Sequence, residues 1–131
     1  MAKILLVDDE PILVSMYKVK LQNAGYDVVT ASDGEMGLQT ALREKPDLIL
    51  LDIKMPKMDG IEVLRKLRED KWGKTVPIII LTNIDEPDDK ISKGVSSDHP
   101  VYYLVKSNTR PDKLLKKVDE IINFLAEERL S

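Results

Sequence analysis

Short runs of apolar residues alternate along the chain with longer stretches in which apolar residues recur at helical spacing. The apolar runs predict five strands, over 3–8, Asp27–Ala31, Leu48–Asp52, 77–82 and Val101–Val105. Strands that alternate with amphipathic helices are typical of βαβ units on a parallel sheet. The unbroken apolar run before Asp52 predicts a strand buried on both faces. With 131 residues, the chain is expected to form one domain over 1–131.

Five helices are predicted between and after these strands. The first begins near Pro11, carries a buried stripe through Tyr17 and ends at Gly25. The second follows Asp33, and the third begins near Gly60. Their predicted apolar faces consist of Met36, Leu38, Ala41 and Leu42 in the second helix and Ile61, Val63, Leu64 and Leu67 in the third.

The two remaining helices differ in character. The helix over 87–95 is short and polar. The C-terminal helix opens with Thr109, Arg110, Pro111 and Asp112, a sequence similar to a capping box. Its predicted buried face consists of Leu114, Leu115, Val118, Ile121, Ile122 and Leu125. Because this helix runs nearly to Ser131, no second domain is expected.

Composition and charge exclude several classes of function. The net charge is −3, from 20 basic and 23 acidic residues without a basic stripe, so direct nucleic-acid binding is not expected. No cysteine is present, which excludes a disulfide framework or a thiolate metal site and fits a cytoplasmic protein. The N-terminal apolar run is too short for a signal peptide, and no membrane association is expected. A hydrophobic content of 43% argues against disorder.

Polar side chains stand at the ends of four predicted strands. Asp8 and Asp9 follow the first strand, Asp52 the third, Thr82 the fourth and Lys106 the fifth. The carboxyl ends of parallel strands share one edge of the sheet, so these groups are expected to lie close together. Clustered carboxylates raise one another's pKa, and a hard cation with oxygen ligands relieves the repulsion. Mg²⁺ fits a small site of carboxylates and water.

Four segments at these strand ends carry a family resemblance. They are VDDE at 7–10, LDIKMPKMDG at 51–60, ILT at 80–82 and YLVK at 103–106. In this order they resemble the receiver domain of two-component response regulators, including the single-domain receivers of chemotaxis and phosphorelays. The resemblance implies a doubly wound, flavodoxin-like sheet of five parallel strands in the order 2-1-3-4-5, with helices on both faces.

The resemblance also implies a phosphoryl-transfer site. Asp52 would accept a phosphoryl group from the phosphohistidine of a histidine kinase or a histidine phosphotransfer protein. Mg²⁺ would be held by Asp8, Asp9, Asp52 and the backbone carbonyl of Lys54. Lys106 would pair with the phosphoryl oxygens, a role that suits a flexible point charge.

The same resemblance implies a switch rather than a turnover enzyme. Thr82 would donate its hydroxyl to a phosphoryl oxygen and move inward, and Tyr103 would follow. The surface formed by the helix over 87–95, the fifth strand and the C-terminal helix would then signal to a downstream protein that the sequence does not name.

The chain departs from the family pattern at three places. Asn83 replaces a small residue and would either narrow access of the phosphodonor or add a hydrogen bond to the phosphoryl group. Ile84 and Lys54 would tune dephosphorylation. Ser107 replaces a proline that is commonly preceded by a cis peptide bond; a cis bond before serine costs about 3 kcal/mol. The segment 92–100 lacks the usual turn of small residues and is expected to be loose.

Other interpretations remain open from the sequence. Asp8 and Asp9 would also suit the N-terminus of a helix, and Thr82, Tyr103 and Lys106 would suit ordinary strand ends. The alternative functions are an aspartyl-phosphate phosphohydrolase, against which Lys54 argues, a flavodoxin-like cofactor binder, and a receiver-like scaffold with little phosphorylation. His99, the one histidine, is interpreted as a surface residue. Trp72 is expected to pack under the loop after the third helix, and Tyr102 on the sheet face opposite Tyr103.

Overall fold

The computed structural model describes residues 2–82, 101–106 and 109–130 of the chain. Within these residues the elements are β1 (Lys3–Val7), α1 (Pro11–Asn23), β2 (Asp27–Ala31), α2 (Gly34–Glu44), β3 (Leu48–Asp52), α3 (Gly60–Glu69), β4 (Ile78–Thr82), β5 (Val101–Val105) and α4 (Pro111–Leu130). The helix predicted over 87–95 lies outside the described residues. The predicted strands over 3–8 and 77–82 are each one residue shorter in the structure.

The five strands form one parallel sheet in the order β2-β1-β3-β4-β5. This order confirms the predicted doubly wound, flavodoxin-like fold. The register places Val7 opposite Leu51, and Thr82 opposite Val105. The carboxyl ends of β1, β3, β4 and β5 therefore meet at one edge of the sheet, where the residues that follow them become neighbours.

Two layers of helices cover the two faces of the sheet. One face packs against α1 and α4, through residues that include Tyr17, Leu114 and Val118. The other packs against α2 and α3, and Trp72 joins this second layer, as predicted. Every residue of β3 is buried, because successive side chains enter the two cores alternately. The strand that ends in Asp52 is therefore fixed from both sides.

Local side-chain chemistry determines where the helices begin. The Asp33 Oδ1 accepts a hydrogen bond of 2.7 Å from the Met36 N–H at the start of α2. The Asp59 Oδ1 accepts one of 2.8 Å from the Glu62 N–H at the start of α3. Each bond satisfies one of the free N–H groups of a first helical turn. These caps fix the loops that follow β2 and β3, on the edge where the polar strand-end residues collect.

The predicted apolar face of α2 was partly wrong. Met36 and Leu42 are 45% and 39% exposed, whereas Gly37, Thr40 and Ala41 face the sheet and are buried. The reason is close packing, since a Cβ atom on Gly37 would lie 2.7 Å from a methyl group of Val7. Small residues let the helix approach β1, so Met36 and Leu42 turn outward, whereas Leu38 packs against the core as predicted.

The predicted capping box at the start of α4 also differs from the structure. The helix begins at Pro111, and the Thr109 hydroxyl donates a hydrogen bond to the Val105 carbonyl at 2.7 Å. Thr109 therefore holds the turn after β5. Among the described helices, none is both long enough and apolar enough to cross a membrane.

Candidate functional site

Three charged side chains meet at the carboxyl edge of the sheet. Asp8 follows β1, Asp52 ends β3 and Lys106 follows β5. The Lys106 Nζ lies 2.8 Å from the Asp8 Oδ2 and 3.2 Å from the Asp52 Oδ1. The three side chains are nearly inaccessible to water, with exposures of 6% for Lys106, 0% for Asp8 and 7% for Asp52. The structure therefore brings together three of the predicted site residues around one buried ammonium group.

A fourth charge completes this arrangement from the side of α1. The Lys106 Nζ donates a hydrogen bond of 3.1 Å to the Glu10 Oε1, and the Glu10 side chain is 54% exposed. The sequence interpretation did not assign Glu10 a role, although it lies within the VDDE segment. Its contact with Lys106 spans 96 residues, so no local pattern could have revealed it.

Lys106 keeps its positive charge in this buried position. Burial lowers the pKa of Lys106, but contact with the Asp8 and Asp52 carboxylates, together with the Glu10 hydrogen bond, raises it above its ordinary value. A buried ammonium group retains its proton when carboxylates surround it. Lys106 therefore acts as a fixed cation opposite Asp52.

Asp52 experiences the opposite balance. Burial and the negative charge of Asp8 raise the pKa of Asp52 from 3.8 to about 6. Lys106 and the Ile53 N–H, which donates to the Asp52 Oδ1 at 2.9 Å, lower it by a smaller amount. The carboxylate is thus held in a site that disfavours its charge, and a further cation nearby would stabilise it.

An acidic cluster suited to a metal ion lies beside this group. Oxygen atoms of Asp8, Asp9 and Glu10 lie within 4.8 Å of one another. Among the described residues, none gives the buried Asp8 Oδ2 a hydrogen bond of good geometry, although Lys106 is in ion-pair contact. Three carboxylates with a buried, incompletely satisfied oxygen form a donor set that Mg²⁺ prefers. The residues therefore fit a divalent cation.

The predicted metal ligands stay a prediction. The carboxylate cluster contains Asp8, the exposed Asp9 and Glu10, and Lys106 lies in contact with both Asp8 and Asp52. Lys54 is exposed in the loop after β3. A cavity of about 210 Å³ borders the cluster; its lining residues are Asp8, Asp9, Pro11, Val14, Thr30, Ala31, Ser32 and Met36.

The predicted switch residues lie in β4, which pairs with β3, and in β5, the next strand along the sheet. Thr82 ends β4 and is 4% exposed. Tyr103 in β5 is half-buried against the core formed with α2 and α3, and burial raises its pKa. Tyr102 packs on the opposite face, as predicted, where the Lys117 Nζ lies 5.3 Å from its ring centre. Among the tuning and surface residues, Asn83, Ile84, His99 and the Lys106–Ser107 bond lie outside the described residues.

The loop after Asp52 depends on a close backbone approach at Gly60. The Gly60 N–H donates a hydrogen bond of 2.7 Å to the Ile53 carbonyl. A Cβ atom on Gly60 would lie 2.1 Å from the Asp52 carbonyl oxygen. Among the described glycines, a positive φ is found at Gly25 and not at Gly60, so backbone freedom is not what this position requires. Gly60 is required because the start of α3 sits directly against the backbone of Asp52.

Comparison with known proteins matches most of the chain to one protein family. Residues 4–119 match the family model of the response regulator receiver domain. The chain is 53% identical over 89 residues to the Bacillus subtilis alkaline phosphatase synthesis transcriptional regulatory protein PhoP, covering 68% of this chain and 36% of PhoP. It is 37% identical over 123 residues to the Caulobacter vibrioides response regulator PleD, covering 94% of this chain and 24% of PleD.

A solved structure shows the same architecture. The chemotaxis response regulator CheY4 of Vibrio cholerae superposes with a TM-score of 0.82 at 34% identity, covering 92% of this chain and 98% of CheY4. In contrast, the chain spans little more than a third of the length of PhoP and about a quarter of PleD. The likeness therefore concerns the receiver portion of these longer proteins.

Proposed function

Because the chain belongs to the family of response regulator receiver domains, which are signalling switches of two-component systems, we propose that Asp52 accepts a phosphoryl group. The donor is the phosphohistidine of a histidine kinase or of a histidine phosphotransfer protein. The observation that carries this proposal is the buried contact of Lys106 with Asp8 and Asp52 at 2.8 and 3.2 Å. A carboxylate, a fixed cation and an acidic cluster at one edge are the parts that in-line phosphoryl transfer requires.

Transfer makes Asp52 the nucleophile. One Asp52 carboxylate oxygen forms a bond to phosphorus while the phosphorus–nitrogen bond of the donor breaks, and the imidazole nitrogen retains the electron pair and takes up a proton. Lys106 pairs with the phosphoryl oxygens as they approach, since its ammonium already lies within 3.2 Å of the nucleophile. The product is an acyl phosphate, whose reactivity suits a transient signal.

The acidic residues would hold the metal ion that this step needs. Mg²⁺ bound by Asp8, Asp9, Asp52 and the backbone carbonyl of Lys54 would offset the negative charge of the phosphoryl oxygens. Asp8 and Asp9 belong to the observed carboxylate cluster, and burial of Asp8 restricts its orientation. The raised pKa of Asp52 supports the same proposal, because a nearby cation favours the charged carboxylate.

Phosphorylation changes the surface around β5. Thr82 donates its hydroxyl to a phosphoryl oxygen, and Tyr103 moves with it, so the surface that includes β5 and α4 presents a new shape to a downstream protein. Asn83, Ile84 and Lys54 adjust how quickly the phosphoryl group enters and leaves. The domain hydrolyses its own acyl phosphate slowly and works as a switch in the cytoplasm rather than as a turnover enzyme.

Mass spectrometry of the intact protein tests this proposal. The protein is incubated with Mg²⁺ and acetyl phosphate, with EDTA and with Asp52→Asn as parallel controls. The proposal predicts a gain of one phosphoryl group that disappears in both controls. If neither a phosphoryl group nor beryllofluoride is taken up with Mg²⁺ present, the receiver-like scaffold becomes the better account.

A further inference from the structure

The turn that carries Lys106 is held by Thr109, which the phosphoryl-transfer proposal does not use. The Thr109 hydroxyl donates to the Val105 carbonyl at 2.7 Å, and its N–H donates to the Lys106 carbonyl at 3.2 Å. Thr109 is 5% exposed, so water competes little for these bonds. One residue therefore binds the peptide carbonyls on both sides of Lys106.

A tyrosine from α1 in turn holds Thr109. The Tyr17 side chain is fully buried, and its hydroxyl donates a hydrogen bond of 2.8 Å to the Thr109 carbonyl. Burial raises the pKa of the Tyr17 phenol, so the hydroxyl keeps the proton that it donates. This contact connects α1 to the β5–α4 turn over 92 residues of sequence.

The position of the Lys106 ammonium depends on this turn. A lysine side chain has a flexible stem of four carbons. Its direction is therefore set by the position of its own backbone and by the partners of its ammonium group. Here the tip must reach Asp8, Asp52 and Glu10 at distances between 2.8 and 3.2 Å. A small displacement of the backbone would weaken all three contacts together.

We propose that Tyr17 and Thr109 are positioning residues that hold Lys106 against Asp52. This inference rests on the proposed function, because the placement of Lys106 matters for phosphoryl transfer. Neither residue touches the reacting atoms; both act through the backbone of Lys106. Catalytic groups misplaced by a fraction of an ångström lose a large part of their effect.

Two substitutions remove the relevant hydrogen bonds without changing the core volume much. Tyr17→Phe removes the hydroxyl that holds Thr109, and Thr109→Val removes the hydroxyl that holds Val105. Thr109→Ser keeps that hydroxyl and serves as the rescue variant. Tyr26→Phe is the matched control, because the Tyr26 hydroxyl also contacts the C-terminal helix, at Asp119. Tyr26 precedes β2 at the amino edge of the parallel sheet, whereas Lys106 follows β5 at the carboxyl edge.

The first measurement is the rate of Mg²⁺-dependent phosphorylation by acetyl phosphate. Loss of one hydrogen bond that positions a charged group predicts a decrease of about three- to tenfold for Tyr17→Phe and Thr109→Val. Thr109→Ser and Tyr26→Phe are expected to stay within about twofold of the parent protein. In a Lys106→Met background, Tyr17→Phe should cause no further decrease, since the residue that it positions is absent.

The second measurement does not depend on phosphorylation. The NMR signal of the Lys106 ammonium reports how well its protons are protected from exchange with water. The inference predicts faster exchange in Tyr17→Phe and Thr109→Val, with no change in Tyr26→Phe. A purely structural role would lower thermal stability without moving this signal.

Three results separate the inference from the proposed function. Unchanged ammonium exchange in Tyr17→Phe would overturn the inference, whether or not Asp52 is phosphorylated. An undiminished effect of Tyr17→Phe in the Lys106→Met background would overturn it as well. Faster exchange in the variants, together with neither phosphorylation nor beryllofluoride uptake by the parent protein, would overturn the proposed function and, with it, the catalytic meaning of the inference.

Discussion

At the scale of single residues, the chemistry of the site depends on opposing influences on one carboxylate. Burial and Asp8 disfavour the charged form of Asp52, while Lys106 and the Ile53 N–H favour it. Burial prevails, so the carboxylate is held at a pKa of about 6. A cation that enters the acidic cluster stabilises the charged form of this carboxylate, so metal binding is linked to the charge of the nucleophile.

The first prediction concerns the titration of Asp52 without Mg²⁺. Its side-chain carboxyl carbon, followed by NMR, is expected to titrate with a midpoint near pH 6. A midpoint at or below pH 4 would contradict the described balance of burial and charge.

This raised pKa has a defined effect on stability. Between pH 3.8 and about 6 the folded protein binds more protons at Asp52 than the unfolded chain does, so its stability falls as pH rises through this window. Asp52→Asn removes that penalty and should increase the free energy of unfolding at pH 8 by about 1–3 kcal/mol. The gain should vanish below about pH 4, and chemical denaturation at the two pH values measures it.

The second prediction concerns the charge of Lys106. Lys106→Met leaves the buried Asp8 and Asp52 without their shared cation and should lower the free energy of unfolding by about 3–5 kcal/mol at neutral pH. Lys116→Met, at an exposed lysine of α4, should change it by less than about 0.5 kcal/mol. Equal losses in the two variants, measured by urea unfolding, would show that the buried ion pairs contribute nothing.

At the scale of elements, loops fixed by caps and close contacts hold the strand ends in place. The start of α3 is capped by Asp59, and Gly60 brings this helix against the backbone of Asp52. The start of α2 is tied to the same region, because a Cβ atom on Gly34 would lie 1.8 Å from the Met58 carbonyl oxygen. The site therefore sits on strands whose loops have little freedom to adjust.

The third prediction tests the approach of α3 to Asp52. Gly60→Ala places a methyl group against the Asp52 carbonyl and should destabilise the protein by about 2–4 kcal/mol. It should also slow phosphorylation by acetyl phosphate, because the nucleophile is displaced. Urea unfolding and intact-mass kinetics measure the two effects.

A glycine at another loop provides the control for this prediction. Gly25 has φ +98°, and no atom of the described residues lies within 4 Å of the place that a Cβ atom would take. Gly25→Ala therefore costs only backbone strain, about 1 kcal/mol. Its phosphorylation rate should equal that of the parent protein. If Gly25→Ala slowed phosphorylation as much as Gly60→Ala, local contact at Asp52 would not be the cause.

The elements were more predictable from the sequence than the contacts between them. Unbroken apolar runs such as 48–51 are typical of strands buried on both faces of a parallel sheet, so strand positions and strand-end residues followed from the pattern. The exposure of Met36 did not, because it depends on how closely Gly37 lets α2 approach β1. The contacts of Glu10 with Lys106 and of Tyr17 with Thr109 join distant segments and leave no periodic signal.

At the scale of the whole molecule, the strand order brings residues that are distant in the sequence together in one site. The order β2-β1-β3-β4-β5 places β1 and β4 on either side of β3, so the residues after these strands surround Asp52. The two cores on opposite faces of the sheet fix this edge from both sides. A ligand that binds at this edge therefore stabilises the fold as a unit.

The fourth prediction follows from this coupling. Mg²⁺ at ten times its dissociation constant should raise the free energy of unfolding by about 1.4 kcal/mol, with a matching rise in melting temperature. Asp9→Asn, within the acidic cluster, should reduce this gain, whereas Glu69→Gln, at the exposed end of α3, should preserve it. An equal response to Mg²⁺ in both variants would place the ion elsewhere on the surface.

The most direct test of the central claim locates the phosphoryl group on the chain. After incubation with Mg²⁺ and acetyl phosphate, borohydride reduction converts an aspartyl phosphate to homoserine, and peptide mass spectrometry identifies the modified position. The account predicts homoserine at Asp52 alone, dependent on Mg²⁺. Modification at another residue, or phosphorylation that persists in Asp52→Asn, would contradict it.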